Sequence, residues 1–290
     1  MYISISFTSL ISLLATCPSI SAPSSSQPLF VTPFIKEEKI KEAQELSFVE
    51  PFLPGVESHS GYITVDVKLG SHMFFWFFRK TENWTEAPLV VWLQGGPGLS
   101  SMFAIFAENG PFTIDNDGQL DYRKYTWTKD FNVVYIDNPV GTGFSFTESK
   151  DGYSSNQEQI GENLHETLRQ FLILFPELRN NQLILSGQSY AGKFLSTLVN
   201  TIQLKKSTTK PEINVFGIFV GNPLISFEYM LPYYNEFLFV NGLLDLKTKE
   251  TLRKREEDIL TLIYEQNWPE ATKLFENTFF EGRSQGPTLL

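Results

Sequence analysis

Ser189 lies in a run of residues that could make its hydroxyl a nucleophile. Residues 183–193 read LILSGQSYAGK, an apolar stretch that is followed by small residues and then by a helix-like segment. A nucleophilic serine is commonly held on a sharp strand-to-helix turn, where its neighbours must be small and a helix N-terminus lies behind the hydroxyl. Gly187, Ala191 and Gly192 meet that requirement. The pattern is G-x-S-x-A-G rather than the strict G-x-S-x-G, so its weight depends on where the serine falls among the strands.

Five strand-like runs precede Ser189, and the serine follows the fifth. Continuous apolar runs are typical of strands that are buried on both faces of a largely parallel sheet. A helix predicted at Gln157–Phe175, with apolar residues at helical spacing and Pro176 at its end, separates the fourth run from the fifth. A sixth strand is predicted at Asn214–Val220. The first five runs are Tyr62–Val67, Met73–Phe78, Leu89–Leu93, Asn132–Ile136 and Leu183–Ser186.

The third predicted strand is followed by a glycine-rich segment, QGGPG at residues 94–98. In α/β hydrolases the loop after the third strand supplies one N–H of the oxyanion hole, and the residue after the nucleophile supplies the other. Those two donors would be the N–H groups of Gly96 and Tyr190. An ordinary glycine-rich turn is the alternative, but two motifs that follow the appropriate strands in the appropriate order favour the catalytic interpretation.

Longer runs of sequence continue these two motifs along the chain. They are WLQGGPG at 92–98, SSMF at 100–103, ENGPF at 108–112, YIDNPVGTGFSF at 135–146, GQSYAGK at 187–193, GNPL at 221–224 and GLLD at 242–245. Through them the chain resembles the serine carboxypeptidases of the α/β-hydrolase fold, and Gln94 and Leu99 make it most similar to the vitellogenic-carboxypeptidase-like branch. The resemblance implies a mostly parallel central sheet flanked by helices, a helical insertion, no cofactor and no metal. It also implies that C-terminal residues are released from peptides through an acyl-enzyme on Ser189.

The resemblance further implies a site for the free C-terminal carboxylate of the substrate. By position, Gln94, Gly95, Glu108 and Gln188 would form it. Most relatives have glutamate immediately before the serine, and one acid of the resulting pair is held protonated. Gln188 is therefore a departure: an amide has the shape of a protonated carboxyl, and its NH2 group donates at any pH.

The partners that such a serine requires are not found in the sequence that follows it. In this fold the order is Ser, then Asp, then His, with both partners on later strands. Residues 227–282 instead read as helical, with Asp245 capping a helix at Lys247–Gln266 and Pro269 near the start of another. Without an adjacent base, a serine is a weak nucleophile near neutral pH.

All three histidines precede Ser189, and we interpret each of them as structural or solvated. His59 is placed in a loop before the first strand, His72 in a hairpin turn, and His165 beside the apolar stripe of the helix between strands four and five. The last strands of the fold are thus expected to be absent, and the chain is expected to be an N-terminal portion. A truncated gene model, a splice form and one piece of a processed enzyme are alternative explanations.

Three functions remain open at this point. The first is a secretory-pathway or lysosomal serine carboxypeptidase whose triad Asp and His come from sequence outside this chain, with a complementing C-terminal chain of the same family as a possible partner. The second is a non-catalytic family member that binds peptide C-termini or a partner chain. The third is an acyltransferase, since relatives with the same triad transfer acyl groups to alcohols. Substrate tests alone separate the first from the third, because they share the nucleophile motif.

Composition is consistent with a globular domain that does not bind nucleic acid. The 290 residues are 42% hydrophobic and carry a net charge of −10, which argues against a nucleic acid or an anionic membrane surface as partner. We divide the chain into an N-terminal extension at 23–50, an α/β-hydrolase core at 51–225, and a truncated helical insertion at 226–290. The sixth strand would be an unpaired apolar edge, so the isolated chain is expected to be poorly soluble or to need a complementing segment.

The N-terminus indicates the secretory pathway. Residues 1–22 have no charged side chain and read as a signal peptide, too short to span a membrane, so we expect a secreted or lysosomal protein. The sole cysteine, Cys17, lies within this segment, which leaves no disulfide in the mature chain. Asn83-Trp84-Thr85 is a candidate glycosylation site at Asn83 in a polar loop. No metal-ligand spacing and no phosphate-binding glycine loop is found.

Overall fold

The computed structural model describes residues 27–280 and divides the chain into two compact units, Met1–Pro223 and Leu224–Leu290. The predicted signal peptide at 1–22, Cys17 and residues 281–290 lie outside the described residues.

The first unit is built on one mixed sheet and a small hairpin. The large sheet has the order β1-β2-β3-β7-β4-β9-β10, with β8 paired to β3, and β5 and β6 form the hairpin. Strands β7, β4, β9 and β10 run parallel to one another, whereas the pairs β1–β2, β2–β3 and β3–β7 are antiparallel. The strands are β1 (Phe48–Val49), β2 (Ser58–Asp66), β3 (Ser71–Phe78), β4 (Leu89–Leu93), β5 (Phe112–Ile114), β6 (Leu120–Tyr122), β7 (Asn132–Ile136), β8 (Phe146–Thr147), β9 (Leu183–Gln188) and β10 (Val215–Gly221).

Nine α-helices occur within residues 27–280. Those of the first unit are α1 (Thr32–Lys36), α2 (Ile40–Ser47), α3 (Met102–Ala107), α4 (Gln157–Leu174) and α5 (Ala191–Lys205). Those of the second unit are α6 (Phe227–Met230), α7 (Tyr234–Val240), α8 (Leu246–Tyr264) and α9 (Trp268–Phe279). No helix within residues 27–280 is long and apolar enough to cross a membrane.

The core lies on both faces of the parallel strands. Every residue of β4 and β7 is buried, as their continuous apolar sequences predict. Alternate residues of β4 belong to different clusters: Val91 packs with α4 and α5, and Trp92 packs with α3 on the opposite face. Across the sheet, the six strands predicted from the sequence lie in the order first, second, fourth, third, fifth and sixth, which are β2, β3, β7, β4, β9 and β10. With helices packed on both faces, this arrangement confirms the predicted α/β fold.

Two of the histidine placements made from sequence are wrong. His59 lies in β2 rather than in a preceding loop, and His72 lies in β3 rather than in a hairpin turn. The two strands pair antiparallel from Ser58 opposite Phe78 to Asp66 opposite Ser71. This ladder includes the polar residues at 58–61 that break the apolar pattern, so the first predicted strand begins four residues earlier than expected. His165 is on the long helix, as predicted.

The described part of the second unit is helical and falls within the range 227–282 that the sequence predicts to be helical. The Asp245 side chain accepts a hydrogen bond from Thr248 N at 2.7 Å and caps α8, and Pro269 lies in the first turn of α9. Glu256 on α8 accepts hydrogen bonds from the backbone N–H of Asn235 and from its side chain, at 2.8 and 2.5 Å. This pair joins the N-terminus of α7 to the middle of α8.

Candidate active site

Ser189 stands on a sharp turn between β9 and α5. Its φ is +56°, a left-handed conformation that costs a non-glycine residue free energy and persists only where the surrounding structure imposes it. Its N–H donates to the Gly221 carbonyl at 2.9 Å, and its carbonyl accepts from Gly192 N at 3.0 Å. The residue itself is exposed. The backbone therefore presents the Ser189 side chain to solvent at the carboxyl end of the strand, where open α/β sheets bind their ligands.

Gly95 packs directly against this turn. A Cβ on Gly95 would lie 2.7 Å from the Gln188 carbonyl oxygen and 2.9 Å from both Ser189 Cβ and Tyr190 N. Real Cβ atoms do not make such contacts, so the approach of the 94–98 loop to the serine requires glycine. The two sequence motifs, which are 94 residues apart in the chain, are thus brought into contact.

Two backbone N–H groups near Ser189 have no partner in the described part of the chain. Neither Gly96 N nor Tyr190 N donates a hydrogen bond within residues 27–280. Gly96 is exposed and has φ +110°, which favours glycine at this position. Free N–H groups next to a nucleophile are what an oxyanion hole requires.

One carboxylate and two amides form a cluster beside the serine. Gln94 Nε2 donates to Glu108 Oε1 at 3.0 Å, and Gln188 Nε2 donates to the same oxygen. Gln94 is 1% exposed, and its Oε1 accepts from the Trp92 indole at 3.3 Å. Glu108 Oε2 is buried and accepts no hydrogen bond within residues 27–280. The structure thus brings Gln94, Glu108 and Gln188 together, next to Gly95.

Arg123 lies close to this cluster, and sequence reasoning missed it. Its guanidinium donates to the carbonyls of Gly110, Phe106 and Phe112 at 2.7–3.0 Å, which surround the turn that carries Glu108. Partial burial lowers the pKa of Arg123, while electrostatic interactions with Tyr135 and Glu108 oppose that change. The guanidinium therefore supplies a positive charge that acts on Glu108. No motif or spacing in the sequence links residues 108 and 123.

Asp137 fixes the loop that carries Gln94 and Gly95. It is fully buried, and its Oδ1 accepts from Ser100 Oγ at 2.6 Å and from Ser101 N at 2.8 Å. The Ser101 hydroxyl in turn accepts from Gln94 N at 3.0 Å and donates to the Ile136 carbonyl at 2.6 Å. Burial raises the pKa of Asp137, and hydrogen bonds from Ser100, Phe144 and Ser101 act in the opposite direction. A network at the end of β7 thus positions the loop at the end of β4.

None of the three histidines hydrogen-bonds to Ser189. His59 Nδ1 is 3.0 Å from Ser47 Oγ and 3.1 Å from the Gln44 carbonyl, and His72 Nδ1 is 3.0 Å from Thr64 Oγ1. Burial and the charge of Arg79 lower the pKa of His59 to about 4. Burial also lowers the pKa of His72 and of His165, which is 3% exposed on α4. Within residues 27–280, the structure brings no histidine into hydrogen-bonding contact with the serine.

The predicted glycosylation motif can also be located. Asn83 and Thr85 of the glycosylation motif are exposed in the loop between β3 and β4. Among the described residues, no group of three or more His, Cys, Asp or Glu side chains is arranged to hold a metal ion.

Comparison with known proteins gives the family. A sequence profile described as "Serine carboxypeptidase" matches residues 49–280. The venom serine carboxypeptidase of Apis mellifera is 40% identical over 274 residues, which are 94% of this chain and 58% of that protein. The vitellogenic carboxypeptidase of Aedes aegypti is 44% identical over 82% of this chain and 50% of its own length. The probable serine carboxypeptidase CPVL of Homo sapiens is 41% identical over 89% of this chain and 55% of its own length.

A solved structure agrees with this assignment. KEX1(DELTA)P, a prohormone-processing carboxypeptidase from Saccharomyces cerevisiae, superposes with a TM-score of 0.66 at 26% identity, over 76% of this chain and 52% of that one. The chain spans about half the length of the curated relatives it matches. On the match over residues 49–280 and the identities of 40% and above, the chain belongs to the serine carboxypeptidase family.

Proposed function

We propose that this chain is the nucleophile-bearing part of a serine carboxypeptidase that releases C-terminal residues from peptides. The observation that carries the proposal is the strained, exposed Ser189, with Gly95 packed against the turn that holds it. A strand-to-helix turn of this kind is how α/β hydrolases present a nucleophile. The triad Asp and His come from sequence outside the chain.

Each candidate residue has a role in this reaction. Ser189 Oγ attacks the carbonyl carbon of the last peptide bond, and the external His accepts the hydroxyl proton. The N–H groups of Gly96 and Tyr190 donate to the oxyanion that develops on the carbonyl oxygen. When the tetrahedral intermediate collapses, the protonated His delivers its proton to the leaving amine. The acyl group remains on Ser189 until water releases it.

Carboxypeptidase specificity requires recognition of a free C-terminal carboxylate. Gln94 and Gln188 carry amide N–H groups beside the serine, and Gly95 brings the loop backbone to the same place. Glu108 accepts one N–H from each amide, which leaves the second N–H of each NH2 group for the substrate. We assign Gln94, Gly95, Glu108 and Gln188 to this recognition.

A non-catalytic role is the second candidate for the isolated chain. The histidines at 59 and 72 are hydrogen-bonded elsewhere, and none of the three is bonded to Ser189. A chain without a base would retain the carboxylate site and bind peptide C-termini, or a partner chain, without turnover.

A complementing chain of the same family is the partner that we propose. Within residues 27–280, β10 pairs only with β9, and its other edge is unpaired. Phe216, Ile218 and Phe219 of β10 are 62%, 45% and 58% exposed, which is unusual for apolar residues of a strand that extends a parallel sheet. The edge is suited to a further strand that also covers these side chains.

We also propose domain boundaries for the chain and a cellular compartment for the mature protein. Residues 51–225 correspond to the hydrolase core and 226–290 to the helical insertion of the family. We place the mature protein in the secretory pathway, with Asn83 glycosylated, because residues 1–22 read as a signal peptide and Asn83 is exposed.

The proposed reaction is tested with a chimera. This chain is followed by the part of the honeybee venom relative that lies beyond the matched region, and release of the last residue is measured on N-blocked peptides. We expect release from peptides that end in a carboxylate, at least about tenfold less from the matching amides, and none from the Ser189→Ala chimera. A folded chimera that cleaves acids and amides equally would contradict a carboxypeptidase.

A further inference from the structure

The carboxylate–amide cluster at the serine contains a single titratable acid. Its members are the two amides of Gln94 and Gln188 and the carboxyl group of Glu108, and both amides donate to Glu108 Oε1. Each donor is the NH2 group of an amide, which has the same charge and the same two N–H bonds throughout the physiological pH range.

Arg123 and Tyr135 are coupled electrostatically to Glu108. The Arg123 guanidinium stays positive in the whole range in which proteins fold, and burial raises the pKa of Tyr135 well above its ordinary value. Tyr135 is fully buried and donates its phenolic O–H to Asn109 Oδ1 at 3.1 Å. Between weakly acidic and weakly basic pH, neither group changes charge.

We propose that Gln188 makes recognition of the substrate's C-terminal carboxylate independent of pH between about pH 5.5 and about pH 8. The inference rests on the proposed function, since it assigns a property to the same carboxylate site. The substrate carboxylate is itself ionised throughout this range, so its charge does not change either. The donor that faces it from position 188 is present at every pH in the range.

The matched comparison is Gln188→Glu, which changes an amide into an acid of nearly the same shape. In that variant the two carboxyl groups at 108 and 188 would lie within hydrogen-bonding distance. Two carboxylates so close cannot both ionise at low cost, so the pair retains a proton into the weakly acidic range. When that proton is lost, position 188 becomes acceptor-only and its added negative charge repels the substrate carboxylate. The variant should therefore bind well only at acidic pH.

The test is a binding measurement on the 290-residue chain, so it does not require turnover. Fluorescence anisotropy is measured with a fluorescein-labelled pool of pentapeptides that has a mixed last residue and ends in a free carboxylate. The same pool ending in an amide is the control. Both are titrated at about pH 5.5, 6.5, 7.5 and 8, with thermal unfolding of each variant measured at every pH.

For the wild-type chain we expect the carboxylate pool to bind with a Kd that changes less than about threefold across the range. For Gln188→Glu we expect the Kd to rise at least about tenfold between about pH 5.5 and about pH 8. A more than tenfold rise in the wild-type chain would overturn the inference, even if the variant does not fold. Parallel profiles for the two folded proteins would also overturn it. Equal binding of the carboxylate and amide pools would instead overturn the proposed function, and the inference with it.

Discussion

The close approach of Gly95 to the serine turn gives a prediction whose size can be worked out. Replacing Gly95 with alanine places a methyl group 2.7–2.9 Å from the Gln188 carbonyl oxygen, Ser189 Cβ and Tyr190 N. Two of these atoms are backbone, and the third belongs to a residue held at φ +56°. None of them can rotate away, so either the 94–98 loop or the serine turn must move.

The distance that the loop or the turn must move sets the expected loss of stability. Ordinary contacts of a Cβ begin at 3.4 Å, so the substitution demands a shift of roughly 0.5–0.7 Å. Overpacking of this kind costs about 1–3 kcal/mol of unfolding free energy. At about 2–4 °C per kcal/mol for a unit of roughly 200 residues, that corresponds to a fall in Tm of roughly 2–12 °C. The same shift would misalign Ser189 with the Gly96 and Tyr190 N–H groups.

The assay is urea unfolding followed by tryptophan fluorescence, which reports mainly on the first unit because four of the five tryptophans lie there. Gly217→Ala is the matched control. Its Cβ would meet only Phe219 Cε2, at 3.5 Å, so we expect a change within about 1 kcal/mol. If Gly95→Ala is as stable as the wild type within about 0.5 kcal/mol, the described packing of the loop on the serine turn is wrong.

Three other predictions follow from features outside the serine turn. His59, whose folded-state pKa of about 4 lies below its unfolded value of 6.5, stabilises the fold fully above about pH 6.5 and loses that contribution as the pH falls to about 4. At about 1.4 kcal/mol per pKa unit, the loss of unfolding free energy is about 3 kcal/mol. In urea unfolding, the unfolding free energy of His59→Leu should therefore fall less on acidification than that of the wild type. An identical fall in the two proteins would refute the lowered pKa of His59. Glycosylation at Asn83 should give a mobility shift that is removed by glycosidase and is absent in Asn83→Gln, and an unshifted protein secreted from a eukaryotic host would contradict it. The unpaired edge of β10 should make the isolated chain self-associate at micromolar concentration, as measured by light scattering, and Ile218→Lys should reduce this association. A wild-type monomer that is monodisperse and unfolds cooperatively would contradict the prediction.

Much of the central sheet could be predicted because its strands are buried on both faces. Leu89–Leu93 and Asn132–Ile136 were predicted with the bounds that the structure has, and their sequences are continuous apolar runs. Strand β2 was placed too late, since Ser58, Ser60 and Gly61 carry no apolar signal and owe their conformation to pairing with β3.

Short elements of the first unit were not predicted. Helices α1 and α2 have five and eight residues, which is too short for a clear helical periodicity, and most of α2 is not buried. The β5–β6 hairpin could have been found, because its connecting residues Asp115-Asn116-Asp117-Gly118 include an Asp-Gly pair, a strong turn signal.

In the candidate site, too, some residues could be predicted from the sequence and others could not. Ser189 and Gly96 lie in local motifs that the sequence is enough to propose, whereas the roles of Gly95 and Gln188 were assigned through the family resemblance that those motifs carry. Arg123 and Asp137 act through contacts between segments that are distant in the chain, and their partners are backbone groups for the most part. Such contacts leave no spacing pattern and become visible only in the folded chain.

The most direct test of the account is fluorophosphonate labelling of Ser189. The 290-residue chain and its chimera with the C-terminal part of the honeybee relative are compared, each with its Ser189→Ala control. Because no histidine within residues 27–280 is bonded to Ser189, we expect the folded chain alone to label no faster than its control. The chimera should label at least about a hundredfold faster than its own control. Labelling of the chimera that persists in Ser189→Ala, or a folded chimera that does not label, would contradict the assignment of Ser189 as the nucleophile.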